Sequence, residues 1–318
     1  MHHEFYFSVI VTTFNRREIL EQTLLALEEQ TLEKSLFEVI VVDDGSTDDT
    51  LDFLERYKNR AKLNFTYISK ENEGQGIARN RGFDVSDGYI VQFLGDDIIP
   101  DPNFLEEHKK VHDIFTTENF ICLGNTTWHP SLQINNYMRF LEDIGMQFKY
   151  GDLDKAKIID PKLGVRLASY KFFYTSNISL KRSLFEKQKF NEKFKQYGWE
   201  DIELGYRLDK EEGAVILYNP KAKAYHVHQM SEVDLPEKMK QIGKSAMLAN
   251  RINKKIGAVP SLFKRMCFLS VTNPLSMHVL KQLSQGSSEK DLTLMKKLYY
   301  YACMKKWFLK GMKMGKRS

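Results

Sequence analysis

Four short apolar runs, each handing over to a helical pattern, restrict this chain more than any other feature. They lie in Phe5–Asn15 (FYFSVIVTTFN), Phe37–Ser46 (FEVIVVDDGS), Asn64–Lys70 (NFTYISK) and Gly88–Asp97 (GYIVQFLGDD). An apolar run that is continuous rather than alternating suits a strand covered on both faces, as in a parallel sheet. Between the runs, Arg17–Gln30 places Ile19, Leu20, Thr23, Leu24 and Leu27 at helical spacing. Asp48–Tyr57 opens with acidic residues, which suit the positive end of a helix. Gly74–Ser86 (GQGIARNRGFDVS) reads as a loop and a helix. The alternation predicts an α/β fold, a doubly wound, mostly parallel sheet with right-handed crossovers.

Two of the runs end in paired carboxylates, Asp43-Asp44 and Asp96-Asp97. Ligands of open α/β sheets bind at the carboxyl ends of the strands. Paired aspartates there suit a hard divalent cation shared with phosphate oxygens, and equally suit a turn or a helix cap. A third acidic pair, Glu200-Asp201, stands in YGWEDIELGYRL. It reads either as charge at a helix start or as a base facing the crevice. In AYHVH, His226 and His228 share one face of an extended segment and are read as structural or as metal ligands.

Three well-separated cysteines (Cys122, Cys267 and Cys303) give neither a disulfide framework nor a zinc spacing, and point to a reducing compartment. The amino-terminal stretch lacks the marks of a secretion signal, and no segment reaches the about 18 apolar residues of a membrane span. The expected location is therefore the cytoplasm. The net charge of +5 is unevenly spread. Residues 231–318 hold 18 Lys and Arg against 5 Asp and Glu, while the remainder holds 29 against 37. That basic, mostly helical extension is compatible with an anionic membrane surface and, equally, with a subdomain packed on the rest. Nucleic acid is not an expected partner, because no recognised module accompanies the lysines.

Taken in order, VIVTTFNR, VVDDGSTDDT, NEGQGIARNRG, GYIVQFLGDDIIPDP, TSNISLKR and YGWEDIELGYRL resemble the family 2 glycosyltransferases of GT-A fold. The likeness runs over roughly Phe7–His228, about two-thirds of the chain. It implies a GT-A catalytic domain over 1–230, with a nucleotide-sugar half to about residue 100 and an acceptor half beyond it. Residues 231–318 would form the helical extension.

The resemblance implies a role for each matching position. Thr12, Thr13, Phe14, Asn15, Arg16 and Asp44 would hold the nucleotide, with Phe14 offering a ring face and Asp44 accepting from a uracil N–H. Gly74, Gly76 and Arg79 would lie against the nucleotide, and Asp96 would touch its ribose. Asp97 would ligate Mn²⁺ or Mg²⁺, with His226, or as second choice His228, as a further ligand. Gly95 departs from the pattern, since many relatives carry Asp there. Asp201 would be the general base of an inverting transfer, Glu200 its neighbour, and Trp199 and Tyr197 would stack on the acceptor. The implied partners are a nucleotide-sugar donor, preferentially a UDP-sugar, and a glycan or lipid-linked acceptor. Two other classes compete: a nucleotidyltransferase making nucleotide sugars, and a non-catalytic module that binds a sugar nucleotide or glycan. Against the first, TTFNRRE is not the glycine-rich basic loop it would need.

Overall fold

The structure, a computed structural model, describes residues 3–285 and 292–316. It divides into two compact units, one of residues 1–132, 150–195 and 200–228, the other of residues 133–149, 196–199 and 229–318.

The first unit holds ten strands among the described residues: β1 (Phe5–Thr13), β2 (Phe37–Asp43), β3 (Asn64–Ser69), β4 (Gly88–Gly95), β5 (Ile98–Pro100), β6 (Phe120–Trp128), β7 (Ile158–Asp160), β8 (Val165–Ala168), β9 (Asn177–Lys181) and β10 (Val215–His226). They form one sheet in the order β3-β2-β1-β4-β9-β6-β10-β8-β7, with β5 paired to β10. β1, β2, β3 and β4 are mutually parallel; every residue of β2 is buried, whereas β3, at the edge of the sheet, has none buried. β9 runs antiparallel to both β4 and β6, which makes the sheet mixed beyond β4.

The helices of this unit are α1 (Arg17–Glu28), α2 (Thr50–Lys58), α3 (Gln75–Asp84), α4 (Phe104–Ile114), α6 (Arg182–Lys187) and α7 (Glu200–Glu211); α5 (Asn136–Asp143) belongs to the second unit. Leu20, Leu24 and Leu27 of α1 and Phe53, Leu54 and Tyr57 of α2 bury against Val9, Val11, Val39 and Val41. These are the helical positions that the spacing marks out. On the opposite face α3 comes so close that a Cβ on Gly82 would lie 2.6 Å from Ile10 Cγ2. Asn80 pins the same helix to the 190s segment, donating to the Phe190 carbonyl at 2.9 Å and accepting its N–H at 3.0 Å.

The second unit is helical: α5, α8 (Leu235–Ile252), α9 (Leu262–Thr272), α10 (Pro274–Gln285) and α11 (Leu294–Gly315). α8 and α11 pack backbone to backbone through Gly243 and Gly311, where any Cβ would collide with a carbonyl of the partner helix. The sequence pattern reads α5 as a stretch around Ile134–Met146 and α7 as Trp199–Glu212, each slightly longer than observed. Three strands, β5, β7 and β8, have only three or four residues and leave no periodic trace.

Candidate active site

The strand order reverses between β1 and β4, because the chain moves outward through β2 and β3 and returns on the other side of β1. Such a reversal opens a crevice at the carboxyl ends of the two strands. Here those ends lead into Thr13 and Asp96. Thr13 Oγ1 donates to Asp96 Oδ2 at 2.9 Å. Arg16, at the start of α1, donates from Nη1 to Asp96 Oδ1 at 3.1 Å and to Asp97 Oδ2 at 2.9 Å.

A distant part of the chain completes this cluster. β5 pairs with β10 so that Ile98 faces His226, and the Val227 N–H donates to the Asp97 carbonyl at 3.0 Å. His226 Nε2 thereby lies 3.4 Å from Asp97 Oδ2. The His226 ring stands edge-on to Trp128 with centroids 5.2 Å apart, and His228 follows at 6.3 Å. Burial and the adjacent Asp97 push the Asp96 carboxyl up to about 6, against the opposing pull of Arg16 and Thr13. Burial also acts upward on Asp97, but His226, Arg16 and His228 outweigh it and hold that carboxyl below the usual range. Neighbouring carboxylates that titrate apart in this way suit different work.

Asp97 and His226 offer one carboxylate and one imidazole to a cation, and no group of three or more His, Cys, Asp or Glu that could hold a metal occurs among the described residues. Two protein donors fit a divalent ion that takes its remaining ligands from water and phosphate oxygens.

The other acidic pair is occupied differently. Asp43 accepts from the Ser46 N–H at 3.1 Å and from Ser69 Oγ at 2.8 Å. Asp44 accepts from Lys70 Nζ at 2.8 Å, the Glu73 N–H at 3.1 Å and the Gly74 N–H at 2.9 Å. Its own N–H donates to the Thr13 carbonyl at 2.9 Å, which joins the two strand ends. Thr12 is buried and Phe14 is 43% exposed. Asn15 adopts a positive φ of 53° and accepts from the Thr47 N–H at 2.7 Å, so it ties the loop after β1 to the loop after β2.

From Gly74 the rim continues along α3. Gly74 has φ +105°, and a Cβ there would meet the Lys195 backbone at 3.0 Å. Gly76 lies against Phe190, and Arg79, in the second turn of α3, stacks over the same ring at 5.5 Å. Arg79 also donates to Gln75 Oε1 at 3.1 Å and approaches Glu200 Oε1 at 3.9 Å. Asp201 follows at the head of α7, where its Oδ1 accepts the Ile202 N–H at 2.7 Å. Burial pushes its carboxyl up, against the Ile202 amide and Arg79.

The first unit thus assembles Thr13, Arg16, Asp96, Asp97 and His226 in one cluster. Asp44 and Gly74, then Arg79 and Glu200, join it through successive contacts. Tyr197 and Trp199 fall in the second unit; Lys238 Nζ stands 5.2 Å over the Tyr197 ring, and Trp199 has a positive φ of 73°. Sequence reasoning passed over Lys70, the ion partner of Asp44. Parallel pairing of β2 with β3 brings the residues just past each strand together, and a lysine beside an aspartate there is the signal that would have found it.

Residues 8–140 match the family Glycosyl transferase family 2. The chain is 29% identical over 215 residues to the Validoxylamine A glucosyltransferase of Streptomyces hygroscopicus subsp. jinggangensis, covering 63% of this chain and 50% of that protein. It is 31% identical over 261 residues to the "Uncharacterized glycosyltransferase YfnE" of Bacillus subtilis, covering 70% and 64% respectively. The chain therefore spans about half the length of the Streptomyces relatives. Among solved structures, the mannosyltransferase PcManGT from Pyrobaculum calidifontis, in complex with GDP-Man and Mn²⁺, aligns with TM-score 0.62 at 18% identity over 98% of this chain and 86% of that one. Staphylococcus aureus TarS 1–349 in complex with UDP-GlcNAc aligns with TM-score 0.54 at 20% identity over 98% and 91%. At this identity the likeness is one of fold, and the fold is GT-A.

Proposed function

The chain belongs to glycosyl transferase family 2, and from that premise we propose that it moves a sugar from a nucleotide-diphosphate sugar to a hydroxyl of a glycan or lipid-linked acceptor, with inversion at the anomeric carbon. The observation that carries this reading is the cluster of Thr13, Arg16, Asp96, Asp97 and His226 at the β1/β4 reversal. Strand-end carboxylates balanced by an arginine and an imidazole suit a ligand that brings both a diphosphate and a cation.

The nucleotide lies along the loop after β1, against Thr12, Phe14 and the Asp44–Gly74 connection, with Arg79 beyond. The UDP-GlcNAc complex of TarS supports uracil as the base, and the GDP-Man complex of PcManGT makes guanine the competitor to test. Asp97 and His226 would hold the divalent ion, and their mixed oxygen and nitrogen donors would favour Mn²⁺ over Mg²⁺. When bound, the ion supplies positive charge to the diphosphate leaving group. Asp96 keeps Arg16 and Thr13 oriented toward the ribose side. Asp201 takes the proton from the attacking acceptor hydroxyl, and its burial makes it a stronger base than an exposed aspartate. Glu200, held near Arg79, fixes the start of α7 on which Asp201 stands. The excess of Lys and Arg in residues 231–318 supports an acceptor presented at the inner face of the cytoplasmic membrane.

The test is a panel of nucleotide sugars with Mn²⁺ or Mg²⁺, read as nucleoside diphosphate release with and without acceptor. Acceptor-dependent release that Asp201→Asn abolishes supports the reading. Pyrophosphate exchange would instead indicate a nucleotidyltransferase, and donor binding without turnover a binding module.

A further inference from the structure

The second unit carries two helices that leave their apolar stripes uncovered. In α9, Leu262, Met266 and Leu269 recur at the spacing of one helix face, and Leu262 and the adjacent Phe263 are each 70% exposed. No residue of α9 is buried. In α10, Leu275, Val279 and Leu283 recur four residues apart, with Leu275 74% exposed. Scattered exposed leucines are ordinary on a protein surface, but apolar stripes at helical spacing on two consecutive helices are not.

These helices are well formed. Ser261 caps α9 by accepting the Lys264 N–H at 3.4 Å. At the corner between them, Asn273 accepts the Ser276 N–H at 2.9 Å and donates to the Ser270 carbonyl at 2.6 Å. The pair is also fixed to α11 by the side of α9 that bears Phe268, which lies 6.3 Å from Tyr301, with Lys305 Nζ 4.9 Å over Phe268 and 4.7 Å over Tyr301. The α9 stripe therefore lies on a different side of the helix from Phe268, the residue that meets α11.

Charge decides what covers them. Residues 239–288 contain eight Lys or Arg and no Asp or Glu. Lys264 and Arg265 flank the α9 stripe, and Lys281 lies between Val279 and Leu283 in the second half of α10. No helix among the described residues is long and apolar enough to cross a membrane. Apolar side chains beside basic ones, on a helix that does not span, are what an interfacial helix presents to an anionic bilayer. We propose that α9 and α10 form a membrane-docking hairpin that inserts Leu262, Phe263, Met266 and Leu275 among the headgroups of an anionic lipid surface. A second copy of the chain would bring the same positive charge and is disfavoured on that ground. The proposal stands whether or not the acceptor is lipid-linked.

The test is flotation of the full chain with phosphatidylcholine vesicles that contain either no phosphatidylglycerol or about 30% of it. Binding is expected only to the anionic vesicles and should weaken as salt rises. Leu262→Ser combined with Phe263→Ser should reduce partitioning by about tenfold or more, and Lys264→Glu with Lys281→Glu should reduce it several-fold. All four positions lie outside the proposed transfer site, so nucleoside diphosphate release with a soluble acceptor should be unchanged, which separates failure of docking from failure of the transferase reading. Flotation that is absent, equal on neutral vesicles, or indifferent to these variants overturns the proposal. So does a concentration-dependent dimer, seen by analytical ultracentrifugation, that the serine variant dissolves, since the stripes would then be covered by a second copy.

Discussion

Asp43-Asp44 and Asp96-Asp97 look alike in the sequence, each a pair of carboxylates closing an apolar strand. In the structure they differ. The first pair spends its oxygens on loop amides, a serine and Lys70, and so knits the connections after β2 and β3. The second pair faces Arg16 on both members and the His226 imidazole on Asp97. Lys70 is largely buried and fixed beside the loop amides, whereas the Arg16 side chain is 38% exposed and within reach of a ligand's charge. The same two letters therefore meet loop amides and a lysine at one strand end and an arginine and a histidine at the other, which is why the metal-assisted step is proposed at the second. The difference lies in what the neighbouring segments bring.

Substitution should separate the two. Asp97→Asn is expected to lower kcat/KM by about 10²–10³, and to remove the response to Mn²⁺, while the melting temperature stays close to that of the parent. A large loss of stability instead would mean that Asp97 is architectural like the first pair. The pH profile gives a second handle. Asp201 must be deprotonated to act as base, and burial raises its pKa from 3.8, so activity should fall on acidification at a pH above that of an ordinary aspartate. An acid limb at or below the ordinary value would break the assignment of a buried base.

Asp44→Asn should act in the opposite sense to Asp97→Asn. It removes the charge opposite the largely buried Lys70, which keeps Glu73 Oε2 at 3.2 Å, and one of the two oxygens that serve the Glu73 and Gly74 amides, and should cost about 1–3 kcal/mol in chemical denaturation, with a raised KM for the donor and a smaller change in kcat. Asp43→Asn keeps one acceptor oxygen for the Ser46 amide and should cost about 1 kcal/mol. If its effect on turnover exceeded that of Asp97→Asn, the division between the pairs would be reversed.

Much of this was legible beforehand, and the exceptions share a cause. β1, β2 and β4 and their helices announce themselves, because burial on both faces and the leucine spacing of α1 leave a pattern in every few residues. β5 has three residues and no pattern, yet its pairing with β10 is what brings His226 to Asp97. That pairing is made between segments far apart in the chain and could be reached only through family resemblance. Lys70 was missed because its partner lies across a crossover. The helices of the basic extension were visible, but composition could not tell that α9 and α10 would keep their apolar stripes uncovered, since that depends on which face α11 takes.

The most direct test is calorimetric titration of the chain with UDP, GDP and dTDP, each with and without Mn²⁺, repeated on Asp97→Asn and Asp44→Asn. One nucleoside diphosphate should bind, more tightly with Mn²⁺, and Asp97→Asn should abolish the gain from the ion, whereas Asp44→Asn should weaken binding and keep that gain. Absence of binding for all three, or an identical response to Mn²⁺ in the parent and Asp97→Asn, would contradict it.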